Sequence, residues 1–152
     1  MMARVRNIAI NTGGGDAPGL NAVICGVVSA ALNRGWRCFG IRDGYNGLLF
    51  PEQFPDGGLV PLSRTRVEGI ASLGGTILGT TNRGNPLRFP VKQPDGTTVE
   101  VDRTDELVRA FALHEIDALV SIGGDGSLAI ANVLAKKGVR VVGIPKTIDN
   151  DL

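Results

Sequence analysis

Histidine is almost missing from this 152-residue sequence, with His114 as its single instance. A Ser-His-Asp triad built within the chain would have to be made around that one residue, and nothing near it supplies the partners. Cysteine is nearly as scarce: Cys25 and Cys38 form no CxxC pair, so a Cys/His zinc site is not indicated. Neither sign of charge prevails, since 16 Lys+Arg stand against 15 Asp+Glu for a net charge of +1. A basic footprint for nucleic acid is therefore absent. No apolar run approaches bilayer-spanning length, and the N-terminal MMARVRNIAI has no secretory core ahead of a cleavage site. No Walker A sequence G-x-x-x-x-G-K-[ST] occurs. These gaps lead to the expectation of a protein without nucleic-acid or membrane partners.

What the sequence has in quantity is glycine, 22 of 152 residues, about twice average usage. With 43% hydrophobic residues, a chain of this length can bury a core without disulfide or metal staples. The glycines punctuate segments of alternating period. Val5 to Asn11 reads as a buried strand, Leu20 to Arg34 as a helix with Val23, Val27 and Ala31 on one face, and Arg37 to Arg42 as a second strand. Residues 45–63 read as loop, and 64–73 as a short helix with Val67, Ile70 and Ala71 inward. A hairpin is expected around Pro94-Asp95-Gly96. The last third reads as helix 104–114, strand 118–122, helix 127–137 and strand 139–144. The alternation predicts an α/β fold, one domain over residues 1–152, with a parallel sheet covered by helices on both faces. Ligands in such sheets bind beyond the carboxyl ends of the strands. Segments 12–19, 123–127 and 145–151 lie at those ends.

Gly123-Gly124-Asp125-Gly126-Ser127 joins a strand to a helix. Glycines there admit phosphate oxygens, and free N–H groups at the helix start attract them. Asp125 would repel a bare phosphate, which suits a Mg²⁺ ligand bridging to phosphates; the alternative is a helix cap. Gly124-x-Gly126-x-x-Ala129 also fits a dinucleotide fingerprint, but Pro145 and Lys146 occupy the place where that fingerprint wants an acid. Thr12 to Gly19 offers a second glycine turn, either a further wall of the cradle or only a turn needing positive φ. Pro145-Lys146-Thr147-Ile148-Asp149-Asn150-Asp151 gathers a cation, a hydroxyl and two acids. Transfer of a phosphoryl group to a hydroxyl needs a base, for which Asp149 is the candidate, and positive charge, for which Lys146 is. The plain alternative is a solvated loop. Arg83 is a candidate phosphate-binding arginine, and Cys25 reads as core.

Together, GGGDAPGLNAVI (13–24), IRDGYNGL (41–48), GGTILGTTNRGNP (74–86), IDALVSIGGDGS (116–127) and GIPKTIDNDL (143–152) resemble the 6-phosphofructokinase family in order and spacing. GGDGS alone is shared with other kinases; PKTIDND with GGDAPGLN narrows the match. The resemblance implies the three-layer nucleotide-binding lobe of a two-lobed cytoplasmic enzyme, a homo-oligomer in its full form. Such an enzyme passes a phosphoryl group from ATP or pyrophosphate, with Mg²⁺, to the 1-hydroxyl of fructose 6-phosphate. By motif, Gly14, Arg83 and Gly84 would meet the donor, with Tyr45 near the nucleotide. Gly124, Asp125, Gly126 and Ser127 would line the donor site, Asp125 serving the metal. Thr147, Ile148 and Asp149 would hold the sugar's reacting end, Asp149 as general base, Lys146 and Thr147 assisting and Asp151 as a supporting acid. Gly126 matches the family's ATP users and Lys146 its pyrophosphate users; because exclusion by bulk and charge is the stronger effect, ATP is the expected donor. Family members continue through a second lobe after the last motif, whereas this sequence stops at Leu152. The expectation is an N-terminal part with negligible activity by itself. A different GGDG-type kinase and a non-catalytic nucleotide-binding module are the competing readings.

Overall fold

The computed structural model describes residues 4–148. Five strands form one sheet in the order β3-β2-β1-β6-β7, and β4 and β5 form a separate hairpin. β1 (Asn7–Thr12), β2 (Arg37–Ile41), β6 (Ala118–Gly123) and β7 (Arg140–Pro145) run parallel. The edge strand β3 (Leu59–Pro61) is antiparallel to β2, so the sheet is mostly rather than wholly parallel.

Side-chain alternation on β1 divides the core. Ile8 and Ile10 face α1 (Leu20–Asn33), joined by Cys38, Val60, Val120 and Ile122. Ala9 faces the other way, towards Leu107 and Phe111 of α4 (Thr104–Leu113) and Leu134 of α5 (Asp125–Lys136). Helices thus cover both faces, as the alternating pattern predicts. On α1 the buried stripe is Leu20, Ile24, Val28 and Ala31. It lies one position beyond the Val23–Val27 row read from the sequence, and those two valines flank it half-buried.

Two stretches differ from the sequence reading. The helix expected over 64–73 ends after one turn, α3 (Arg64–Val67), because Gly69 at φ 77° breaks it; a 3₁₀ turn follows over Ile70–Ser72, leaving Ala71 exposed. The expected loop 45–63 contains α2 (Asn46–Leu49), a 3₁₀ turn and β3. Gly47 and Gly58 cross so closely there that a Cβ on Gly47 would lie 2.0 Å from the Gly58 carbonyl oxygen. The hairpin forms where expected, β4 (Phe89–Lys92) against β5 (Thr98–Val101).

The connections from β1 and β6 leave the sheet in opposite directions. β1 leads through α1 to β2 on one side, and β6 leads through α5 to β7 on the other. The crevice where the order reverses is where open α/β sheets bind ligands. Register brings the strand ends level there: Thr12 pairs with Ile122, and Gly123 with Pro145.

Candidate functional site

The two glycine turns of the sequence meet at this crevice because Ser127 is packed between them. A Cβ on Gly13 would fall 2.3 Å from Ser127 Oγ, and one on Gly123 would fall 2.4 Å from Ser127 Cβ. Only bare backbone lets the first turn of α5 settle against both strand ends. Gly123→Ala is expected to cost about 1–3 kcal/mol of stability through overpacking. Urea denaturation should show the lower midpoint; an unchanged midpoint would mean that Ser127 moves aside freely.

α5 starts at Asp125, two residues earlier than the sequence suggests. Its N-cap is Gly124, with no side-chain cap hydrogen bond. First-turn N–H groups left without intrahelical partners form an anion-binding end. Asp125 is the first helical residue, exposed at this end, so its carboxylate is not the cap. Among the described residues no group of three or more His, Cys, Asp or Glu could hold a metal by itself. One carboxylate beside a phosphate cradle nevertheless suits Mg²⁺, which is commonly held by one or two carboxylates plus substrate phosphates and water.

The Gly13–Gly15 turn forms the second wall and is laced in place from both sides. Thr80 Oγ1 donates to the Gly14 carbonyl and Lys146 Nζ to the Gly15 carbonyl. Gly14 has φ 78°, a conformation glycine adopts without cost, and a Cβ there would lie 3.4 Å from Lys146 Nζ. Beneath, fully buried Thr12 bonds Thr76 Oγ1 at 2.9 Å and donates to the Gly79 carbonyl at 2.8 Å. Asn21, at the start of α1, accepts from Ile77 N–H at 2.8 Å and donates to the Leu73 and Gly74 carbonyls, both at 3.2 Å. Thr12, Asn21 and Thr80 lie in the segments singled out in the sequence, but nothing there assigns them these bonds. The usable signal was a polar residue at a strand end or in a first helical turn, followed by a glycine-rich loop with carbonyls to bind.

Gly44, Tyr45 and Asn46, with Thr81 to Pro86, complete the lining, and a Cβ on Gly44 would lie 3.4 Å from Thr81 Cγ2. Arg83 has its backbone N–H on Thr81 Oγ1 at 3.1 Å, and Gly84 turns at φ 71°. Tyr45 is buried with its hydroxyl beside Asn11 and Ser121, which are themselves paired across β1 and β6. Tyr45 Oη, Asn11 Oδ1 and Ser121 Oγ lie close together without a well-formed hydrogen bond among the described residues. Burial pushes the Tyr45 phenol up, against smaller lowering contributions from Ser121 and Asn11. The ring therefore remains a neutral phenol under the cradle.

These walls enclose a cavity of about 410 Å³. Gly14, Tyr45, Arg83 and Gly84 all border it, as do Gly124 to Ser127 and Lys146, Thr147 and Ile148. Every expected site residue that the structure describes thus faces one space. Asp149 and Asp151 lie outside the described residues. Ile130 on α5 and Asn11 also line the cavity, and sequence reasoning had passed over both. Cys25, read as core, packs half-buried against the α1 side of the core.

Residues 7–152 match the family model described as Phosphofructokinase. Among curated proteins the chain is 47% identical to ATP-dependent 6-phosphofructokinase 1 of a Nostoc species, over 99% of this chain and 40% of that protein. It is 44% identical to ATP-dependent 6-phosphofructokinase 2 of Clostridium perfringens, over 100% of this chain and 40% of that protein. The chain therefore spans about two-fifths of the length of these relatives. Among solved structures, Pichia pastoris phosphofructokinase in the T-state superposes with a TM-score of 0.77 at 31% identity, covering 99% of this chain and 16% of that one. The pyrophosphate-dependent phosphofructokinase of Marinobacter aquaeolei gives 0.71 at 20% identity over 97% and 35%, a likeness of fold alone.

Proposed function

Because this chain belongs to the phosphofructokinase family, we propose that its cavity is the site from which a phosphoryl group passes from ATP to the 1-hydroxyl of fructose 6-phosphate. In this reading residues 1–152 are the N-terminal, donor-binding domain of a cytoplasmic, homo-oligomeric enzyme of glycolysis. No described helix is long and apolar enough to cross a membrane. The observation that carries the proposal is the convergence of three separate motif segments, 13–15, 124–127 and 146–148, on one cavity at the switch point of the sheet.

The roles follow from chemistry. The uncapped start of α5 and the Gly14 turn present backbone donors to the donor phosphates, with Arg83 and Lys146 adding positive charge where the transferred group becomes exposed. Bound Mg²⁺, held through Asp125, would neutralise phosphate charge. Thr147 and Ile148 border the cavity, and in the motif that continues from them in sequence Asp149 takes the proton of the attacking hydroxyl, with Asp151 as a supporting acid. Lys146 could serve pyrophosphate as well. Position 126 favours ATP, since a Cβ on Gly126 would meet nothing within 4 Å, leaving open room at the cavity wall.

Calorimetric titration of residues 1–152 with Mg-ATP tests the donor site. Binding is expected, and Asp125→Asn should weaken it about tenfold with Mg²⁺ present, whereas metal-free ATP should bind at least as well once the repelling charge is gone. No heat of binding from the unaltered chain, or equal Mg-ATP affinity in the variant, would contradict this assignment.

A further inference from the structure

One side chain joins two walls of the cavity from behind. The guanidinium carbon of Arg103 lies 4.7 Å from the ring centroid of Phe50 and 4.9 Å from that of Phe89. The rings are themselves 5.5 Å apart at 44°. Arg103 also grips Glu106 with both forks, Nε to Oε1 at 2.8 Å and Nη2 to Oε2 at 2.5 Å. Its backbone N–H donates to the Pro86 carbonyl at 2.8 Å.

Each partner leads to the cavity. Phe50 follows directly on α2, whose preceding residue is Tyr45. The Phe89 ring packs so tightly on Gly84 that a Cβ there would lie 2.6 Å from it. Gly84 is the neighbour of Arg83. Arg103 itself does not line the cavity, although its side chain is only 16% exposed. The pairing with Glu106 raises the Arg103 pKa and lowers that of Glu106, so the clasp stays charged through neutral pH. A delocalised cation close to two ring centroids and at the same time bidentate to a carboxylate is a task for arginine that lysine does not replicate.

We propose that Arg103 is a positioning residue: through Phe89 and Phe50 it fixes the 81–86 loop against the Tyr45 wall, so that Arg83 faces the donor phosphates. The inference rests on the assignment of Arg83 to the donor made above. The bland alternative is that Arg103 merely anchors the β4–β5 hairpin, whose strands are largely exposed.

A double-mutant cycle separates the two, because residues acting through one another are not additive. Mg-ATP affinity of residues 1–152 is measured for Arg103→Ala, Arg83→Ala and the pair, each beside a thermal melt. Arg103→Ala is expected to weaken binding about tenfold alone and not at all further once Arg83 is gone. Additive losses, or an unchanged affinity for Arg103→Ala, would overturn the inference while leaving the donor site standing. Wild-type affinity in Arg83→Ala would instead strike the Arg83 assignment and take this inference with it. Should Arg103→Ala fail to fold, Phe89→Leu keeps the charge pair, loses one of the two ring contacts, and should show the same non-additivity. Arg103→Lys should not regain wild-type affinity; full recovery would mean that charge alone suffices and would overturn the clasp of rings and carboxylate.

Discussion

Asp149→Ser is expected to lower turnover on the order of 10²–10⁴-fold, the usual contribution of a positioned general base, with little change in affinity for fructose 6-phosphate. The reaction is read in a chimera joining residues 1–152 to the remaining part of a curated ATP-dependent relative, since the chain spans about 40% of such proteins. The 1-hydroxyl is a poor nucleophile until its proton leaves, and the proton must go to a group that is ionised at neutral pH. A carboxylate in the motif that follows β7 meets that need, whereas serine accepts no proton at that pH. Because the proton moves only as the new bond forms, the loss belongs in kcat rather than KM. Near-normal turnover in the variant would move the role to Asp151.

Gly126→Asp is expected to depress ATP use by about a hundredfold and pyrophosphate use far less. The open space around position 126 borders the cavity, and an aspartate would fill it with bulk and negative charge. Like charges brought together in such a site cost several kcal/mol. A donor that carries an α-phosphate and nucleoside beyond the transferred end meets that charge; pyrophosphate is short enough to avoid it. Steady-state rates with each donor at saturating fructose 6-phosphate give the ratio. Equal losses for both donors would show that residue 126 acts on the cradle as a whole and not on donor length.

Glycine-rich strand ends made much of this site legible in the sequence. Gly13–Gly15 and Gly123–Ser127 each mark a place where a strand gives way to a helix, and the sheet brings such ends together whatever the intervening chain does. What escaped the sequence are contacts between residues far apart in it. Thr12 meets Thr76 and Gly79, and Asn21 meets the 73–77 loop; periodicity cannot signal partners more than fifty residues away. The Arg103 contacts escaped for the same reason, since Phe50 follows α2, Phe89 belongs to β4, and neither lies in a motif. The short strand β3 was invisible because three residues show no alternation, and its pairing to β2 sets it. The shift of α1's buried stripe from Val23 to Ile24 shows that apolar spacing finds a face only to within one position when nearly every residue of the helix is apolar.

Initial rates of the same chimera with Mg-ATP and with Mg-pyrophosphate, at saturating fructose 6-phosphate and with the sugar product identified, test the central claim most directly. The account predicts fructose 1,6-bisphosphate formed faster from ATP, with Gly126 leaving room for the nucleotide. Faster formation from pyrophosphate would contradict it and make Lys146 the residue that decides the donor.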